Sequence, residues 1–186
     1  MSPEMVVGLS ALVVSLVAVI VGVYSAYTDR TYARASVWPR IELNFYLSNN
    51  DGGSIYGLKM SNFGIGPAII KSAQLELNGI YLKSWRELID ATGEDREFIN
   101  VATNSISRVV LPADKTLVAL EMRDSSQKMS AEVREILRPL NISVCYCSVY
   151  EECWLKERKL PPQPVEQCTL NAKRDFVGWV EGKSDK

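Results

Sequence analysis

The uncharged run from Met5 to Thr28, MVVGLSALVVSLVAVIVGVYSAYT, restricts this chain more than any other stretch. About 24 residues at roughly 1.5 Å each reach roughly 36 Å, enough to cross a hydrocarbon core of about 30 Å. In lipid only a helix satisfies its backbone polar groups within one segment, so the run reads as a transmembrane helix. A core helix of a soluble protein would carry a polar face over such a length. The leader MSPEM has no Lys or Arg, and no small-x-small exit follows the run. The run is also about twice as long as a signal-peptide core, so a retained anchor is expected.

Basic residues set the expected orientation. None precedes the run, whereas Arg30, Arg34 and Arg40 follow it. That asymmetry places the N-terminus outside the cell (inner) membrane and the C-terminal domain in the cytoplasm. Tyr24, Tyr27, Tyr32 and Trp38 supply an aromatic belt at the same end. Within the run, Gly8, Ala11, Ser15, Ala18, Gly22 and Ser25 repeat at alternating spacings of three and four. Small residues in heptad register let two membrane helices approach closely with a left-handed crossing, so the span is expected to pack against another copy or a different protein.

Of 186 residues, removing the first 28 leaves 158, one domain with a sizeable core. The sequence holds 21 Lys+Arg and 22 Asp+Glu, and only Glu4 lies in the first 28, so the remainder balances at 21 against 21. There is no basic face for nucleic acid and no acidic tail. The chain has no histidine, which removes the commonest general base and the commonest zinc ligand. The expected organisation is an anchor over 1–28, a linker over 29–39 and a β-sandwich domain over 40–186.

After the anchor the hydrophobic period changes from helical to two. The membrane helix should emerge by a turn or two before Pro39 stops it. In 40–47, Ile41, Leu43, Phe45 and Leu47 alternate with polar residues, and 55–62 forms a second strand after the turn residues Asn49–Gly53. Gly64 and Gly66 would suit a phosphate loop only if a helix followed. Pro67 instead leads into 68–77, where Ala73, Leu75 and Leu77 alternate with Ser72, Gln74 and Glu76: a strand. The glycines are then expected to supply positive φ in a tight connection.

A strand ending in Asn62-Phe63-Gly64-Ile65-Gly66-Pro67-Ala68, followed by another closing on Asn78-Gly79, resembles bacterial immunoglobulin-like sandwich modules of the CARDB type. The resemblance covers residues 40 to 80 and implies a fold more than a task. Such modules generally bind or space, and bring no catalytic residues.

Ile80–Leu82 is a short strand. Ser84 with Glu87 forms a capping box for a short helix stopped by Gly93. Strands are expected at 98–102, 106–111 and 116–122, then a second helix from Ser130 through Val133, Ile136 and Leu137 to Pro139. A hairpin of 142–149 and 153–157 follows. Pro161, Pro162 and Pro164 exclude a central strand, and Phe176, Val177, Trp179 and Val180 should pack a last segment onto the body. The expected fold is mainly β: an immunoglobulin-like sandwich of about eight strands with two short helical insertions.

Four cysteines, Cys145, Cys147, Cys153 and Cys168, fall in one window. Cys145 and Cys147 share a strand face, and Cys147 and Cys153 stand on opposite arms of the hairpin. Three arrangements fit: free buried thiols, as a cytoplasmic domain would hold; a Cys147–Cys153 disulfide; or a four-thiolate zinc site, although C-x-C-x5-C-x14-C lacks paired C-x2-C knuckles.

Without histidine, catalysis would need a Ser–Lys pair, a carboxylate pair or a thiolate. Glu94-Asp95 and Glu151-Glu152 fall in turns, and no G-x-S-x-G elbow occurs. The expectation is a non-enzymatic binding or assembly module on a single-pass anchor, with no cofactor, no small-molecule substrate, and lipid and a helix partner as its contacts. The alternative is a redox- or metal-responsive membrane sensor built on the four cysteines.

Overall fold

The structure is a computed structural model that describes residues 2–50, 53–91, 99–124, 135 and 137–178; the side chains of 50, 99 and 124 are outside it. It divides into two units, Met1–Ser36 and Val37–Lys186.

The first unit is helix α1, Pro3–Ala35, of 33 residues. Pro3 starts it without sacrificing a needed N–H, Glu4 sits at the positive end and Arg34 at the negative end of its dipole. Its hydroxyls bond back to the preceding turn: Ser15 Oγ donates to Leu12 O at 2.8 Å and Thr28 Oγ1 to Tyr24 O at 2.9 Å. No residue of α1 is buried, and its Val, Leu and Ile side chains stand bare. The helix is long and apolar enough to cross a membrane, as a membrane anchor or a signal sequence would be. It runs to four residues short of Pro39, as the sequence implied.

The second unit is mostly β, in two antiparallel sheets. One sheet has the order β1-β2-β7-β5, from Ile41–Asn50, Gly53–Asn62, Lys115–Asp124 and Ile99–Thr103. The other has the order β10-β9-β8-β3-β4, from Gln163–Val165, Cys153–Glu157, Asn141–Cys147, Ala68–Leu77 and Ile80–Leu82, with β6 (Val110–Leu111) paired to the start of β3. One buried cluster draws from both sheets: Leu43, Leu58, Met60 and Leu120 from the first, Ile70, Leu75, Val144 and Tyr146 from the second. Bulges adjust the alternation. Between Ile70 and Ser72 the register shifts, so Ile70 and Ala73 both join the core although three apart.

Helix α2, Trp85–Ala91, follows the capping logic: Glu87 N–H donates to Ser84 Oγ at 3.3 Å. The Glu87 carboxylate reaches one residue further than a capping box requires, accepting Lys83 N–H at 2.7 Å. Buried Trp85 meets Phe176 edge-on at 4.7 Å, and Phe176 N–H donates to Ala73 O. That bond serves the stretch of β3 between its partners β6 and β4.

Three expectations change. The run 106–111 forms a strand only at Val110–Leu111, because Arg108 has φ 58 and breaks the extended backbone, while Ile106 is a buried loop anchor. Gly64 and Gly66 are not among the positive-φ glycines of the described residues; a Cβ on either would strike the backbone of Val37–Arg40, which lies across the loop. Val177 is exposed, so Phe176 carries that docking. The stop at Gly93, Glu94-Asp95, the helix positions Ser130, Val133 and Ile136, and Trp179 and Val180 lie outside the described residues.

Candidate functional site: a disulfide-clamped sheet face

Strand β8 sends alternate residues to opposite faces. Val144 and Tyr146 enter the core, and Cys145 and Cys147 point the other way. Cys147 is directly opposite Cys153 across the hairpin, and the two are bonded, with S–S 2.08 Å and Cα–Cα 4.0 Å. Cys145 is bonded to Cys168, with S–S 2.04 Å and Cα–Cα 5.6 Å, a pair that the spacing did not single out. Of the arrangements open from sequence, the structure therefore has disulfides and no free cysteine. The sulfurs of Cys147, Cys153 and Cys168 lie within 4.8 Å of one another, but sulfurs bonded in pairs are not the thiolates that zinc requires. Cys147 Sγ and Cys168 Sγ, from different bonds, are 3.7 Å apart.

The Cys145–Cys168 bond holds the C-terminal segment over the outer face of β9, β8 and β3. There the outward row reads Gln74, Ser143 and Glu157, paired across three strands, with Glu76 opposite Asn141 beside it. Between this floor and the segment's Thr169 and Arg174 is a polar cleft of about 340 Å³. Asp175 fixes the segment, accepting Gln74 Nε2 at 3.4 Å and Asn171 N–H at 2.8 Å. The Arg174 guanidinium lies over the Tyr81 ring at 5.0 Å. The cleft offers carboxylates, amides, hydroxyls and one cation, the donors and acceptors of a recognition surface.

The chain entry is fixed by Asn62, which the sequence marks as a strand end but not as a hydrogen-bonding hub. Asn62 is buried, and its Oδ1 accepts the N–H groups of Arg40 and Gly64, both at 3.0 Å. Its Nδ2 donates to the carbonyls of Gly66 at 2.8 Å and Leu111 at 3.1 Å. An Asn at the end of an apolar-alternating strand, before a glycine loop, was the signal available. The six small residues of α1 lie within about 100° of one another at 3.6 residues per turn, and no atom comes within 4 Å of a Cβ placed on Gly8 or Gly22.

On the outer face of the first sheet, Tyr46 Oη donates to Glu121 Oε2 at 2.6 Å, and Glu121 also pairs with Arg123 at 2.6 Å. Burial, then the bond to Glu121, pushes the Tyr46 hydroxyl from 10.0 up to about 12. The bond from Tyr46, then that from Arg123, holds the Glu121 carboxyl below its usual range. Burial pushes Tyr56 up to about 12 as well.

Compared with known proteins, the chain matches no protein-family model and no curated protein.

Proposed function

We propose that this protein is a single-pass, membrane-anchored binding or assembly module. Helix α1 serves as a retained anchor, and an immunoglobulin-like sandwich of the CARDB kind presents the clamped face of the second sheet to a partner. The observation that carries the reading is the contrast between the units. One is a 33-residue helix whose apolar side chains have no protein cover, and the other is a β body with its own core. Exposed apolar surface on this scale is stabilised by lipid, not by water.

The side of the membrane follows from weighing two signals. Arg30, Arg34 and Arg40 favour a cytoplasmic domain. Two closed disulfides favour an oxidising compartment, since a reducing cytoplasm keeps thiols open. Three arginines are a modest bias, and domains longer than about 60 residues translocate largely regardless of charge. We place the domain on the oxidising side, with the short N-terminus in the cytoplasm.

In α1, the stripe of small residues supports packing against another membrane helix. Replacing Ala11, Ala18 and Gly22 with Leu should abolish crosslinked oligomers or co-purifying membrane partners, with the domain still folded. Unchanged crosslinks contradict the helix contact. Retention of the full chain in carbonate-washed membranes tests the anchor.

A second reading, a redox-responsive sensor, draws on the 3.7 Å between Cys147 Sγ and Cys168 Sγ, close enough for exchange once one bond is reduced. Counting thiols in protein acid-trapped before and after mild dithiol treatment of cells tests it. Four cysteines that stay bonded in both samples contradict it.

A further inference from the structure

The loops of the β unit gather at two poles, and the pole where the chain enters carries more than half of the large exposed hydrophobic side chains among the described residues. Pairing puts the start of β1 on one side of the end of β2 and the start of β7 on the other. The starts of β3 and β9 and the end of β8 come to this same pole through Ile69 opposite Cys147 and Cys147 opposite Cys153. Among the described residues of this unit, six of the eleven large exposed hydrophobic side chains belong here: Trp38, Phe63, Ile65, Val110, Val149 and Tyr150. Phe63 and Ile65 are 63% and 67% exposed although Asn62 and Gly66 on the same loop are buried. The loop is therefore held rigidly with its two apolar side chains turned out. Ile65 N–H donates to Trp38 O at 3.0 Å, which fixes Trp38 beside them, and Trp38 stacks on Trp154, itself stacked on buried Tyr146.

The cation side chains of Arg40, Arg108 and Lys115 stand on the same loops, together with the anions Asp114, Glu151 and Glu152. Near-neutral charge with protruding Trp, Tyr, Phe and Ile suits the interfacial layer of a bilayer, where aromatic rings sit at headgroup level. The covalent path points to the same occupant. Trp38 is three residues past the last residue of α1, so this pole, and not its opposite, is tethered to the segment we read as spanning the membrane.

We propose that this pole docks on the bilayer surface, with Phe63, Ile65 and Tyr150 entering the interfacial layer, so that the clamped sheet face is presented in a fixed attitude instead of tumbling on a linker. The proposal rests on the anchored reading of α1.

The test uses the full chain in phosphatidylcholine–phosphatidylglycerol vesicles whose acyl chains carry bromine near the headgroup. Tryptophan reporters are introduced singly at exposed positions, Phe63→Trp and Tyr150→Trp at the docking pole and Ile80→Trp at the opposite one, each read against the parent protein. Docking gives several-fold stronger bromolipid quenching of the first two reporters than of the third. Adding Phe63→Ser and Ile65→Ser should remove the Tyr150→Trp quenching while the chain still floats with the vesicles. Vesicle-bound protein with equal or no quenching at the two poles overturns the docking alone, whether a second copy or another protein covers the pole. Protein that does not float with the vesicles overturns the anchor and the docking together.

Discussion

Asn62 Nδ2 donates a 2.8 Å hydrogen bond to the carbonyl oxygen of Gly66, inside a loop that the same side chain ties to Arg40, just ahead of β1, and to Leu111 of β6. One buried amide thus satisfies five backbone groups from three segments, with a 3.2 Å bond to Pro112 O as the fifth. Asn62→Ala should lower unfolding free energy by about 3 kcal/mol, because several of those groups would lose their partner away from water. Asn62→Asp should be at least as damaging, since it turns a donor into an acceptor facing three carbonyls. Denaturant titration checks both, and near-neutral variants contradict the role given to the amide.

Gly66 belongs to the same arrangement for a steric reason. A methyl group there would meet the Val37 backbone, which has no flexible end to move aside. Gly66→Ala is expected to destabilise by about 1–3 kcal/mol and to loosen the entry segment, seen as faster amide exchange at Ile65 and Phe63. Gly57→Ala should perturb Tyr46 instead, because the Tyr46 ring covers that position.

Lys156 and Glu42 link β9 to β1 at 2.8 Å, but they are not equivalent: the lysine side chain is 6% exposed and the glutamate 27%. Removing Glu42 leaves a buried cation that keeps, among the described residues, the Leu160 carbonyl at 2.8 Å. Glu42→Ala should therefore cost about 3 kcal/mol, whereas Lys156→Met, which keeps the volume and leaves the more solvated partner, should cost about 1 kcal/mol or less. Equal effects would contradict the asymmetry of burial.

Alkaline stability depends on Tyr46 and Tyr56. Each has a folded pKa of about 12 against an ordinary 10.0, so the unfolded chain gives up its protons first as pH rises. The stabilisation is complete below pH 10 and is lost between pH 10 and about 12. Denaturant midpoints should be flat from neutral pH to about pH 9.5 and fall beyond it. Tyr56→Phe should weaken that fall, and ultraviolet titration should show three phenols ionising late, Tyr46, Tyr56 and Tyr146, the last also raised by burial.

The parts of this fold readable from sequence are those set by local pattern. The apolar span, the alternation of Ala68–Leu77, the arm Cys153–Glu157 and the Ser84 cap depend on residues close in the chain. What was not readable depends on distant segments. Gly64 and Gly66 look like turn glycines until Val37–Arg40 is laid over them. Cys168 finds Cys145 across a separation of 23 residues, a closure the β8–β9 pattern does not encode. Gln163–Val165 forms a strand despite its proline, because β10 lies at the sheet edge where a missing N–H is harmless. The clamped cleft follows from that second disulfide and was equally invisible.

The central claim is a membrane-anchored, disulfide-clamped domain on the oxidising side of the bilayer. Its most direct test is protease treatment of a C-terminal tag on sealed spheroplasts and, separately, on opened ones. Cleavage in sealed spheroplasts, with all four cysteines inaccessible to maleimide until reduced, is the predicted result. A tag protected until the membrane is opened, on a chain with four reactive thiols, would contradict it and return the domain to the side its arginines favour.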